Sequence, residues 1–409
     1  VVSAQCGSTT SNAAILTVNA SPAIGTQPSN ATVCAGSSNT FSVTATGGGL
    51  SYQWQVSTDG GVSFTNITGA IASTYDLTGI TIGQNNNQYQ VVVTGSCPGT
   101  ATSVPAILAV GNAPSITAQP TDVITCDGAT ASFSATASGS GLSYQWQVST
   151  GFSLFADIPG ATSATYAFTA TTALSSNRYR VIITSATCAT PSTSDVAQLT
   201  VNALPAIVDQ PASATLCAGS DVTFTAAASG TNITYQWQVS TDGGVSFSNI
   251  SGANSASYTI TGTSASQFGY QYHVVVSGTC TPSVTSSAAT LNVISPATVT
   301  AQPASSAVCF GGNTSFTVAG SGSGVIYQWQ VSTDGGTTFA NISGANSATY
   351  ALSGVTSGNG NLYHALLSNS TCTTPAVSSA ALLTVNALPV VAASSNADPL
   401  GVCTGTAVT

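Results

Sequence analysis

Over residues 51–57 apolar and polar side chains alternate, with Tyr52, Trp54 and Val56 on one side of the chain and Gln53, Gln55 and Ser57 on the other. A period of two over such a run predicts a β-strand with one face buried. The phrase Tyr-Gln-Trp-Gln-Val-Ser-Thr returns at 144–150, 235–241 and 327–333. Its tryptophans, Trp54, Trp146, Trp237 and Trp329, are the only ones in the chain and stand 92, 91 and 92 residues apart. Solenoid repeats are roughly half that length, so this period predicts an array of whole domains. Each Trp is expected to plug the core of a β-sandwich.

The rest of the first copy reads as further short strands. Ile24–Pro28 ends on a Gln-Pro pair that recurs as Gln119-Pro120, Gln210-Pro211 and Gln302-Pro303. Pro has no N–H for a ladder, so an edge strand that breaks and resumes is expected there. Thr32–Cys34 runs into a turn at Gly36, and the next strand turns Phe41, Val43 and Ala45 inward. Asp59-Gly60-Gly61, repeated as Asp242-Gly243-Gly244 and Asp334-Gly335-Gly336, predicts a tight hairpin turn. One later strand holds Phe64 and Ile67, another Tyr75 and Leu77. Tyr89 opens the next, with Val91 and Val93 in phase, and Tyr179, Tyr272 and Tyr363 are its counterparts. A turn at Gly95–Gly99 leads to a last strand, Val104–Val110. No segment carries a useful helical period, so the expected fold is all-β.

On this period the chain divides into four complete domains, 20–111, 112–202, 203–293 and 294–386. Residues 1–19 match the C-terminal part of a preceding repeat, and 387–409 the start of a following one. The expectation is a window of a longer array.

A Gly turn, a Trp on the central strand and a Tyr opening a later one, in this order, resemble the immunoglobulin-like sandwich. The phrase Trp329–Gly336, then Phe339–Ala345, then Tyr350, with matching runs in the other copies, looks closest to the Ig-like repeats of giant cell-surface proteins of the Bacteroidota. Gliding-motility adhesins and other type IX secretion substrates are of this kind. The resemblance covers essentially the whole chain and implies tandem sandwiches in a linear array on a cell surface. The second copy departs from it, with Gly151-Phe152-Ser153-Leu154 in place of the Asp-Gly-Gly turn.

Each Trp has a Cys 20 residues before it (Cys34, Cys126, Cys217, Cys309) and another 43, 42, 43 and 43 residues after it (Cys97, Cys188, Cys280, Cys372). In antibody-like domains the disulfide joins mid-strand positions, which here are Val43 and Val91; these cysteines sit instead in turns. If consecutive strands run up and down, the two turns lie at opposite ends of a sandwich. A seven-residue strand rises ~23 Å, whereas a disulfide needs Cα atoms within ~7 Å. The end that carries the first Cys is also where the last strand leaves for the next domain. The pairing expected is therefore between domains: Cys34–Cys188, Cys126–Cys280 and Cys217–Cys372, with partners for Cys6, Cys97, Cys309 and Cys403 outside this window. Cys34–Cys97 and its equivalents within each domain, or unpaired thiols, are the alternatives that the spacing leaves open.

Composition narrows the functional classes. Charged residues are 3% of 409, with no Lys, Glu or Met, eleven Asp, and only Arg178 and Arg180 as strong bases. Nothing is available to neutralise phosphates, which excludes nucleic-acid binding. A surface of Ser, Thr, Asn, Gln and Gly repels itself weakly and permits lateral association of further copies in a fibre. Ten regularly spaced Cys without CxxC point to an oxidising, extracellular setting. No apolar run in this window is long enough to span a membrane.

Candidate chemistry is sparse. His273 and His364 follow the Tyr that opens their strand, an outward position held by Gln90 and Arg180 in the other copies. No acid lies near them in sequence and two repeats lack the His, which speaks against catalysis. Asp59, Asp242 and Asp334 are single acids in turns. Asp122, Asp127, Asp209 and Asp221 are candidate ligands for weakly bound Ca²⁺, and no other cofactor is expected. Aromatics outside the repeat pattern, Phe152 and Phe155 with Leu154, Phe268 with Tyr270, and Phe310, form a possible contact surface for a glycan or a neighbouring chain. The leading expectation is a non-enzymatic stalk or filament segment stapled by disulfides; the alternative is an adhesin that binds polysaccharide or a host surface through its divergent loops.

Overall fold

The computed structural model describes residues 1–151 and 153–390. The chain forms two compact units, Val1–Ala203 and one beginning at Leu204, each with two copies of one sandwich. The first copy contains β3 (Ala23–Thr26), β4 (Ala31–Cys34), β5 (Asn39–Ser42), β6 (Thr44–Thr46), β7 (Ser51–Ser57), β8 (Thr65–Asn66), β9 (Thr74–Leu77), β10 (Gln88–Thr94), β11 (Thr100–Thr102) and β12 (Ala106–Gly111). Before it, β1 (Val2–Ala4) and β2 (Gly7–Thr9) make an exposed hairpin with Cys6 in its turn.

One layer is formed by β3 paired with β6 and β5 paired with β9. The other has the order β4-β12-β10-β7-β8, with β11 also on β10. All pairs are antiparallel except β4 with β12, which run parallel and set Cys34 beside Gly111. The other three copies repeat this arrangement. The fold is an all-β tandem of immunoglobulin-like sandwiches.

The Gln-Pro motif is where the chain changes layer. Pro28, Pro120, Pro211 and Pro303 are buried, and each preceding Gln supplies an acceptor where the ladder is interrupted. Gln27 Oε1 accepts from Val104 N at 2.9 Å, Gln119 from Asp195, Gln210 from Ser287 and Gln302 from Ser379. The turn after Cys34 needs a left-handed residue: Gly36 has φ +89°, and Gly128, Gly219 and Gly311 stand likewise at positive φ.

Trp54, Trp146, Trp237 and Trp329 are fully buried. Each indole N–H donates to a backbone carbonyl, of Ala72, Ser163, Ser255 and Ser347 respectively, which removes the cost of enclosing a polar atom. Tyr89, Tyr179, Tyr272 and Tyr363 are buried beside them, each stacked on a Phe of the opposite layer at 4.6–4.9 Å. Burial pushes the Tyr272 hydroxyl up to about 12.

Several local expectations are corrected. Ser57 is buried rather than outward, because the loop after β7 folds back over it. That loop is no tight turn: seven residues separate β7 from β8, and β8 is only two residues long, flanked by Phe64 and Ile67. The last predicted strand, Val104–Val110, is β12 and begins two residues later; a separate short strand, β11, precedes it, and between them Ser103 turns inward to accept the N–H of Val91. Phe152 and the segment 391–409, with Cys403, lie outside the described residues.

Candidate functional site at the repeat junctions

Cys34 ends β4 at the pole where β12 leaves the first sandwich. The polypeptide crosses to the second through Asn112, whose N–H donates to Ser140 Oγ and whose carbonyl accepts from Ser140 N. This brings the turn after Arg178–Ser185 to the same pole. Ser185 Oγ accepts from the backbone N–H of Thr187 and Cys188 and donates to Ser140 O, so the turn is fixed before any cross-link is considered. Cys188 Sγ lies 3.5 Å from Gly111 O and is bonded to Cys34, with Cα atoms 5.0 Å apart. The bond spans 154 residues and joins two successive sandwiches.

The second unit repeats this clasp between its own two sandwiches. Cys217 is bonded to Cys372 across 155 residues, with Cα atoms 5.2 Å apart. Here Asn369 replaces Ser185: its Oδ1 accepts from the N–H of Thr371 and Cys372, and its Nδ2 donates to Ser295 O in the linker. A cleft of about 480 Å³ opens beside the bond, lined by Thr215, Ser220, Thr371 and Thr373 among others. Cys188 and Cys372 are buried, whereas Cys34 and Cys217 are half-buried.

Cys97 is in the same turn of the first copy and leans on Asn19 O at 3.0 Å, as Cys188 leans on Gly111 O. Cys309 ends its strand as Cys34 does and is exposed; among the described residues neither it, Cys97 nor Cys6 is in a disulfide. Cys126 ends the strand Val123–Cys126, and Cys280 is buried in the turn after Tyr270–Ser277.

The outer face of the larger sheet carries a polar relay that sequence reading missed. His273 Nε2–H donates to Gln238 Oε1 at 2.6 Å, and Gln238 Nε2 donates to Asn249 Oδ1. The amide's other engagement fixes the tautomer. His364, Gln330 and Asn341 repeat this, Arg180 with Gln147 and Asp157 stands in the second copy, and Gln90 with Gln55 and Asn66 in the first. His273 and His364 also lie flat on Phe247 and Phe339 at 3.8 Å, and Arg180 covers Phe155 at 4.1 Å. Phe155 is therefore the regular member of its repeat, not an outlier. Burial lowers both His pKa values. With Nε2 on an amide and one face on a ring, these residues hold strands together and are not set up as general bases.

The Asp residues are also engaged locally. Asp59 is held well below the usual carboxylate range, first by the Ser63 hydroxyl and then by the N–H of Ser63 and the hydroxyl of Ser57. Asp242 and Asp334 repeat this brace. Asp122, Asp127 and Asp221 each accept a backbone N–H of their own domain. Among the described residues no three His, Cys, Asp or Glu gather as a metal site, and no helix is long and apolar enough to cross a membrane.

Of the aromatics singled out from sequence, Phe268 and Phe310 are exposed, at 61% and 48%, and Leu154 at 93%. Tyr270 is half-buried and packs against its domain core.

A family model described as a domain of unknown function, DUF8696, matches residues 23–111, 115–203, 209–295 and 298–387. The chain belongs to this family. Each DUF8696 repeat coincides with one sandwich. Among curated proteins the array is similar to endoglucanase C of Cellulomonas fimi, 37% identical over 138 residues, which are 33% of this chain and 12% of that protein. The chain thus spans a small part of the curated relative it matches. Among solved structures it is similar to the titin I-band fragment I67–I69 (14% identity, TM-score 0.46, 67% of this chain and 99% of that one). It is likewise similar to the immunoglobulin domains 1–5 of Sidekick-1 (13% identity, TM-score 0.35, 90% and 99%). These structural likenesses concern the fold of the DUF8696 repeats alone.

Proposed function

We propose that this chain is a non-enzymatic stalk segment of a large extracellular, cell-surface protein, in which disulfides join successive sandwiches and hold a distal part away from the cell. The observation that carries this is the clasp from the first-Cys turns of the first and third sandwiches to the next sandwich, Cys34–Cys188 and Cys217–Cys372. An enzyme or a freely hinged string has no need to cross-link neighbouring units; a spacer gains stiffness from it. Disulfides support an oxidising compartment. The resemblance to Bacteroidota gliding-motility adhesins and type IX substrates supports the cell surface. Antibody against the chain is expected to label intact cells of the source organism; labelling only after lysis sinks the surface assignment. Small-angle scattering is expected to give one narrow distribution of lengths for the oxidised chain and a broader one after reduction.

A second reading, that the repeats are adhesins for a polysaccharide or host surface, is favoured by the exposed ring of Phe268. Binding on a glycan array that disappears with Phe268→Ala supports it, and no binding by the oxidised chain dismisses it. The near absence of charge also favours lateral association of copies into a fibre, which sedimentation at rising concentration tests.

A further inference from the structure

The two clasps do not overlap in sequence: one encloses the chain from Cys34 to Cys188, the other from Cys217 to Cys372. They therefore act in series on any load applied to the two ends. A covalent route enters by β3 and β4 and crosses from Cys34 to Cys188. It follows the strands Ala197–Asn202, Ala206–Asp209 and Ala214–Cys217, crosses to Cys372, and leaves by Ala381–Asn386. The enclosed spans of 154 and 155 residues contain all four buried Trp. They also contain every strand that pairs with a Trp-bearing strand.

From this connectivity we infer that the chain is a length-limited tether, in which tension is diverted round the sandwich cores. Between Ala23 and Asn386 the covalent route holds about 60 residues, which extend to about 200 Å at ~3.3–3.6 Å each. Without the clasps the same ends are joined by about 360 residues and reach about 1,200 Å. Unfolding of every sandwich would therefore leave the oxidised chain short, and a domain opened by force would stay tethered beside its strands and refold in place. The parallel pairing of β4 with β12 adds to this. Cys34 and Gly111 end side by side, so the disulfide leaves the sandwich from the same pole as the peptide linker and offers a shorter covalent path beside it. The use of such a tether in the cell rests on the stalk reading, whereas the length limit rests on connectivity alone, so a pulling experiment and cell labelling fail independently.

The test stretches the full chain in optical tweezers through enzymatically ligated peptide tags at its two ends, leaving all cysteines untouched. Oxidised protein is expected to extend to about 200 Å between the first and fourth sandwiches, and reduced protein to release four steps of about 300 Å. Cys34→Ser and Cys188→Ser, each in oxidised protein, are both expected to add about 400–500 Å as the enclosed span is freed. Four full-sized steps from oxidised wild type, or serine variants no longer than wild type, overturn the inference.

Discussion

The imidazole of His273 lies flat on the ring of Phe247, with centroids 3.8 Å apart and planes 10° apart, while its Nε2–H holds Gln238. The pair sits on the outer face of the sheet, where His364 with Phe339 and Arg180 with Phe155 hold the same place in other repeats. One position thus accepts two chemistries, because imidazole and guanidinium each offer a flat donor that can cover a ring and reach the same glutamine.

Burial lowers the pKa of His273 and His364 from an ordinary value of 6.5. The folded state then binds fewer protons than the unfolded one. The contribution is full above pH 6.5 and is lost as pH falls through the folded value. Titration of the two imidazoles by NMR is expected to give midpoints below 6.5; midpoints above it would show that the rings are not shielded.

Arg180→Ala removes both the cover over Phe155 and the bond to Gln147 Oε1. A half-exposed cation–π contact contributes about 0.5–1 kcal/mol, and the part-buried hydrogen bond from the charged guanidinium about 1 kcal/mol or somewhat more. A loss of about 1–2 kcal/mol in urea unfolding is expected, and Arg180→Gln should recover the part due to the bond, since Gln90 makes the equivalent bond in the first repeat.

Trp237→Phe keeps most of the core plug but leaves the carbonyl of Ser255 without its indole donor. The expected cost is about 1–3 kcal/mol, against about 3–5 kcal/mol for Trp237→Ala, where a cavity is added. Equal destabilisation by the two substitutions in chemical unfolding would remove the role assigned to the indole N–H.

Asp242 gathers the hydroxyls of Ser240 and Ser246 and the N–H of Val245 and Ser246. Its depressed pKa means that the brace holds above the unfolded carboxyl value of 3.8 and is lost only as pH falls below it. Asp242→Ala is expected to speed amide exchange at Ser246 about tenfold or more, with little change at Trp237. Unchanged exchange at Ser246 would show that the Gly pair alone sets the loop.

Peptide mapping without reductant is expected to recover Cys34 with Cys188 and Cys217 with Cys372. The repeat period extends this to Cys126 with Cys280. Recovery of Cys34 with Cys97 would contradict the clasp. Removing one bond by Cys→Ser should lower stability by up to ~5 kcal/mol on the loop-entropy argument.

What the sequence by itself determined is local. Alternation over 51–57 set the strand and its buried Trp54, the period of the four tryptophans set the number of sandwiches, and the turn positions of the cysteines put them at opposite poles. These follow from a two-residue side-chain period and chain direction, which need no partner. Tertiary structure alone decided what each polar group meets. Gln27 finds its donor at Val104, Cys188 leans on the carbonyl of Gly111, and Ser57 is covered by its own loop. The first two are 77 residues apart in the chain. Hydrogen bonds and disulfides are decided by distances of a few ångströms between such remote segments, and those distances exist only once the sheets have closed.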